Sequence, residues 1–150
     1  MWNSPNMILA LRAAQDAADA GEVPVGAVIT GPDGTVLATT QNRTRRDNDP
    51  TAHAEVLAIR QAAALLGQDR LVGCTLHVTL EPCAMCAGAI AHARLDRVVY
   101  GASDPKSGGT DHGARVFDHA QSHHSPEVVS GVMEVEAAAV LQAFFEAKRR

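Results

Sequence analysis

The stretch EPCAMC, residues 81–86, sets two cysteines three apart directly after a proline. Pro82 has a backbone angle suited to the first position of a helix. The spacing therefore predicts a helix over 82–92 with Cys83 and Cys86 one turn apart on one face. Unpaired amides and the positive dipole end at such a start favour thiolates over thiols. Two adjacent thiolates suit a soft cation, zinc first, but a redox-active dithiol uses the same spacing. A second stretch decides between them. DPTAHAEV, residues 49–56, offers His53 and Glu55 at the start of another helix, after the turn at Asp49 and Pro50. A redox pair has no use for them, whereas a hydrolytic zinc site does. His53, Cys83 and Cys86 supply three ligands and leave a fourth tetrahedral position for water. Water held there ionises near neutral pH. Glu55, two residues from a ligand, can take its proton and deliver it to a substrate. A closed structural site would need a fourth ligand, and His77 is a candidate that strand alternation does not single out. Cys74 and Met85 read as core packing.

The elements that must position these residues follow from periodicity and punctuation. Met7–Ala20 is an alanine-rich helix that starts after Ser4-Pro5 and stops at Gly21. The runs 23–30 and 35–40 form a hairpin around GPDG, and the polar stretch 41–50 is a loop. Ala52–Leu66 is a helix closed by Gly67, 75–80 a strand, Pro82–His92 a helix and 97–103 a strand. A Gly-, Asp- and His-rich loop comes next, then a strand over 127–133 and an amphipathic helix over 134–150. Alternation of strand and helix in the middle demands crossover connections, so part of the sheet is parallel while the hairpin makes it mixed. The expected fold is α/β, a three-layer α/β/α arrangement in a single domain spanning residues 1–150.

Composition narrows the function. The 150 residues carry 46% hydrophobic and 20% charged side chains, an ordinary globular balance. Aromatics are only 3%, so stacking of bases on an aromatic platform is not the expected binding device. A formal charge of −4 gives no global attraction to nucleic acid. Local basic patches remain, at Arg43, Arg45 and Arg46 and at Lys148, Arg149 and Arg150, each of which also reads as solvated surface charge. Three cysteines do not make a secreted disulfide framework. The N-terminus has no signal-peptide pattern, and no apolar run approaches the ~18 residues of a membrane span. A cytoplasmic protein with no membrane partner is expected.

The pairing of H-x-E with P-C-x-x-C is the described signature of zinc nucleobase deaminases. The chain resembles the bacterial tRNA adenosine deaminases of the cytidine deaminase superfamily. The resemblance runs over 22–107 through EVPVGAV, NR, DPTAHAEVLAIR, TLEPCAMCAGAI and RVVYGASDPKSG, and returns in FFEAKRR at 144–150. It implies hydrolytic removal of an exocyclic amine, turning adenosine at the wobble position into inosine with release of ammonia. It further implies a cytidine deaminase-like fold and a homodimer whose active sites are bordered by the neighbouring subunit. By the same resemblance His53, Cys83 and Cys86 hold one zinc ion per subunit and Glu55 shuttles protons. Asn42 matches a substrate-contacting asparagine, and an anticodon loop of tRNA is the implied partner.

The resemblance weakens after DPKSGG. The family continues there with small residues, a Ser-Leu segment, a short helix and an Asn-His-Arg cluster. This chain reads TDHGARVFDHAQSHHSPEVV. With His124 on the family histidine, His123 stands at the asparagine and Ser125 at the arginine, which removes a phosphate contact. If this loop lines the pocket it could instead select a free base or nucleoside of the guanine, adenosine or cytosine type. His112, His119, His123 and His124 with Asp111 and Asp118 also raise a second metal site, against the plainer reading of a solvated or substrate-lining loop.

Overall fold

The computed structural model describes residues 4–149, so Arg150 of the C-terminal basic patch lies outside the described residues. Helix α1 (Pro5–Asp19) opens on Ser4, whose hydroxyl accepts a hydrogen bond from the Met7 amide, with proline in its first turn. Strands β1 (Gly26–Thr30) and β2 (Val36–Gln41) form the expected hairpin. Helix α2 (Ala54–Leu66), β3 (Thr75–Leu80), α3 (Ala84–Ala93) and β4 (Arg97–Ala102) follow. A 3-10 turn at Val116–Asp118 interrupts the long loop before β5 (Glu127–Val129) and α4 (Glu134–Lys148).

The five strands lie in the order β2-β1-β3-β4-β5. Strand β1 is antiparallel to β2 and β3, while β3, β4 and β5 run parallel, so the sheet is mixed as expected. Alternation along the strands divides the core. Ala27, Ile29, Leu76, Val78, Val98 and Tyr100 face α2 and α3. Val28 and Val99 face the other way, toward Met7 and Ala10 of α1 and Val132 before α4. Helix α1 approaches β1 so closely that a Cβ on Gly26 would stand 1.9 Å from the Ala10 carbonyl oxygen. The result is a three-layer α/β/α fold.

Three of the boundaries that differ from the sequence expectation bear on the site or its surroundings. The last strand ends at Val129 rather than 133, because Gly131 (φ 77°) and Met133 (φ 55°) take left-handed conformations that turn the chain into α4. The two helices expected at Ala52 and Pro82 begin instead at Ala54 and Ala84. In both, the residue just outside the helix is one of those singled out as a ligand, and that displacement matters for the site.

Candidate active site

His53 is the N-cap of α2, with extended backbone (φ −73°, ψ 151°) and no capping hydrogen bond from its side chain. Its ring is therefore free to turn toward α3. The capping duty passes to Asn42, whose Oδ1 accepts from the Ala54 amide at 2.8 Å while its Nδ2 donates to the Val23 carbonyl at 3.1 Å. Cys83 is likewise the N-cap of α3 (φ −72°, ψ 176°), with Cys86 in the first turn. Two helix starts thus meet at the carboxyl ends of the parallel strands, where α/β folds place their ligands.

His53 Nδ1 lies 3.6 Å from Cys83 Sγ and 3.4 Å from Cys86 Sγ, and the three ligand atoms fall within 4.8 Å of one another. Zinc bonds of about 2.3 Å to sulfur and about 2.0–2.1 Å to nitrogen, at a tetrahedral angle, put such atoms about 3.6 Å apart. The donor set and its spacing therefore fit a zinc ion. Atoms this close compete for protons. The Cys83 thiol is drawn down to about 4, chiefly by a hydrogen bond from Cys86 and then, against burial, by His53. Cys86 is pushed up by the same contact and by its burial. His53 is raised, first by its bond to Cys83.

Glu55 is 4% exposed, and burial lifts its carboxyl to about 7. A carboxyl poised near neutrality suits proton transfer in both directions. His53, Glu55, Cys83 and Asn42 line one cavity of about 240 Å³ with Asp104 and Ser107. A larger cavity of about 590 Å³ sits at the other end of the sheet, against His77 and Thr30, and holds no such ligand trio. His77 points to the α1 side, 3.3 Å from Thr30 Oγ1, with burial pushing its ring down to about 4. It is not a fourth ligand. Cys74 is buried in the core as expected, whereas Met85 is 39% exposed on α3.

The loop between β4 and β5 divides in two. Its first part, through Asp104 and Ser107, walls the cavity. Its second part lies at the opposite end of the sheet: His124 Nε2 bonds the Leu95 carbonyl at 2.6 Å, just before β4, and the His123 ring packs on His92 at 5.5 Å. His119 bonds the Ala114 carbonyl at 2.7 Å and His112 bonds Glu81 at 2.7 Å. Among the described residues no second group of three metal-binding side chains forms. Within the chain His123 and His124 lie away from this cavity and tie the loop to Leu95 and His92, while His119 bonds inside the loop.

The arginines of 43–46 are mostly engaged as well. Arg43 pairs with Asp47 at 3.1 Å, and Arg46 with buried Glu22 at 3.1 Å, leaving Arg45 to present its side chain outward. Glu22 also accepts the amides of Arg45 and Arg46, at 3.2 and 2.9 Å. Burial pushes its carboxyl up, but these hydrogen bonds prevail and hold it below the usual range. A depressed folded pKa stabilises above the unfolded value of 4.5 and is lost as pH falls through the folded value. Glu22→Gln should therefore cost about 1–3 kcal/mol at neutral pH. Thermal melts should show the gap to the parent closing as pH drops below about 4.5.

Sequence reasoning missed Glu81. It lies in the quoted motif and is 2% exposed, yet reads there only as the residue before a proline. A carboxylate between a fully buried strand and a helix start needs partners. That was the available signal.

Comparison with known proteins fits this geometry. The sequence profile of the MafB19-like deaminases matches residues 3–149. The tRNA-specific adenosine deaminase of Agrobacterium fabrum is 52% identical over 143 residues, 95% of this chain and 93% of its own. A solved structure from a study of A-to-I editing by tRNA:A34 deaminases at the wobble position superposes with a TM-score of 0.89 and 52% identity, covering 91% of this chain and 98% of its own. Guanine deaminase from Bacillus subtilis is 44% identical, with a TM-score of 0.64, over 69% of this chain and 66% of its own. The chain belongs to the MafB19-like deaminases, with the tRNA-specific adenosine deaminases of the cytidine deaminase-like fold among its relatives.

Proposed function

We propose that residues 1–150 form one zinc-dependent deaminase domain that converts adenosine at the wobble position of tRNA to inosine and ammonia. The observation that carries the chemistry is the meeting of His53, Cys83 and Cys86 with a buried carboxylate in one base-sized cavity. The substrate rests on the extent of the likeness to tRNA-specific adenosine deaminases, which runs over 95% of the chain. Deamination of a free base, of the guanine, adenosine or cytosine type, is the second reading. The partial match to a guanine deaminase supports it over 69% of the chain.

In this account His53, Cys83 and Cys86 hold one zinc per subunit. Zinc bound there supplies Lewis-acid activation of a water molecule. Glu55 takes one proton from water as the water oxygen bonds the amine-bearing ring carbon, passes it to the ring nitrogen, and then moves the proton of the new hydroxyl to the departing amine. The C–N bond breaks, a carbonyl replaces it and ammonia leaves. Asn42 has one amide hydrogen beyond its bond to Val23 with which to hold the base. An anticodon loop offers its bases partly unstacked, which lowers the cost of turning one into the pocket.

The outer faces of α2 and α3 support an assembly of two copies. Their outer side carries Val56, Ile59, Ala89 and Met85, partly or fully exposed, an apolar strip suited to a second copy of the chain. A homodimer with each site bordered by its neighbour is part of the proposal. No described helix is long and apolar enough to cross a membrane. All three cysteines are free thiols, in keeping with a cytoplasmic location.

The test is ammonia release by zinc-loaded protein from two sets of substrates: an anticodon stem-loop with adenosine at the wobble position, and a panel of free bases and nucleosides. The expected result is turnover of the stem-loop with a silent panel. Turnover of a small molecule with the stem-loop untouched would replace the tRNA reading with the free-base one.

A further inference from the structure

Glu81 has no part in the chemistry above, yet among the described residues its side chain accepts more hydrogen bonds than any other. Its Oε1 accepts the Asp104 amide at 3.0 Å and the His112 ring Nδ1–H at 2.7 Å. Its Oε2 accepts the amides of Thr110, Asp111 and His112 at 3.3, 3.0 and 2.9 Å, and the Thr110 hydroxyl at 3.2 Å. Every one of these donors belongs to the loop between β4 and the 3-10 turn.

The loop so gathered lies directly on the ligand helix. The Gly109 amide donates to the Pro82 carbonyl at 2.7 Å, and a Cβ on Gly109 would come within 2.5 Å of the Ala84 nitrogen. A Cβ on Gly108 would come equally close to Glu81 Oε2, so the loop has no slack there. A second fastening holds the same segment, since the Tyr100 hydroxyl donates to Asp111 Oδ2 at 2.5 Å. Asp104 and Ser107, at the start of the loop just after β4, form one wall of the cavity that holds Glu55 and the candidate ligands His53 and Cys83.

We infer that Glu81 and His112 form a latch that holds loop 104–112 closed on the start of α3, and that the latch sets substrate affinity by fixing the cavity wall. Both are positioning residues. The fraction of molecules with the wall in place multiplies the apparent affinity, so loosening the latch raises KM and leaves kcat nearly unchanged. A residue that only supports folding would instead reduce the amount of active protein, lowering apparent kcat with KM constant. Zinc ligation uses other atoms and does not change.

The inference rests on the deaminase reading for its kinetic arm alone. His112→Ala removes one charge-assisted hydrogen bond and should raise KM for the anticodon stem-loop about tenfold with kcat kept. Its zinc content should match the parent. Hydrogen exchange at the amides of Thr110, Asp111 and His112 should quicken in the same variant. His112→Asn, whose amide nitrogen can stand where Nδ1 stood, should recover most of both effects. Unchanged exchange in His112→Ala would overturn the latch, as would lost kcat at constant KM or an Asn variant no better than Ala. If the parent protein turns over no substrate, the functional reading fails while the exchange measurement still decides the latch.

Discussion

Glu55→Gln should fold, bind zinc and lose deamination by about 10²–10⁴-fold in kcat, the usual contribution of a positioned proton-transfer group. The substitution keeps the shape of a side chain that is 4% exposed, so the core does not collapse around it. In the proposed mechanism it removes the group that moves protons from water to the ring nitrogen and the leaving amine. The carboxyl is lifted to about 7 by burial, a value at which it gives up and regains a proton with little cost either way. Metal analysis beside single-turnover kinetics checks the prediction. Full zinc with intact turnover would remove Glu55 from the mechanism, whereas full zinc with no turnover in parent or variant would favour a zinc-stabilised binding module.

The second large effect is loss of the metal. Cys83→Ser replaces a sulfur that sits 3.6 Å from His53 Nδ1 and whose thiol is already drawn down to about 4. Serine offers no comparable soft ligand, so zinc content and activity should fall together. Stability should fall with them. The three candidate ligands come from two helix starts 30 residues apart in sequence, so a metal held by them would join α2 to α3. At a hundredfold excess over its Kd, bound zinc stabilises the folded chain by about 2.7 kcal/mol. For a domain of this length that corresponds to about 5–10 °C in Tm. Chelation of the parent protein should reproduce the shift, and Cys83→Ser should show none on chelation. A chelator-insensitive Tm in the parent would mean that zinc does not bridge the helices.

Much of this site was legible in the sequence because its chemistry is local. His53 and Glu55 are two residues apart and Cys83 and Cys86 three, so each pair needs only its own helix start to be arranged. The sheet order was partly legible for the same reason: alternating elements force parallel crossovers, and those supply β3, β4 and β5. What the sequence hid depends on contacts across the fold. Nothing local indicates that Asn42 caps α2 in place of His53, because the cap comes from a residue 12 positions earlier. Nor is Glu81 marked as a hub, since its partners are 23 to 31 residues away. The role of the His-rich loop was hidden for the matching reason: only the fold places His123 and His124 at the far end of the sheet, where they fasten the loop.

The most direct test of the central claim is the fate of one adenosine. An anticodon stem-loop with adenosine at the wobble position would be incubated with zinc-loaded protein in heavy-oxygen water, and its nucleosides weighed. The account predicts inosine at that position alone, carrying one heavy oxygen from the solvent, with Glu55→Gln nearly inert. Unmodified adenosine in the stem-loop, beside a free base that does gain the heavy oxygen, would contradict it.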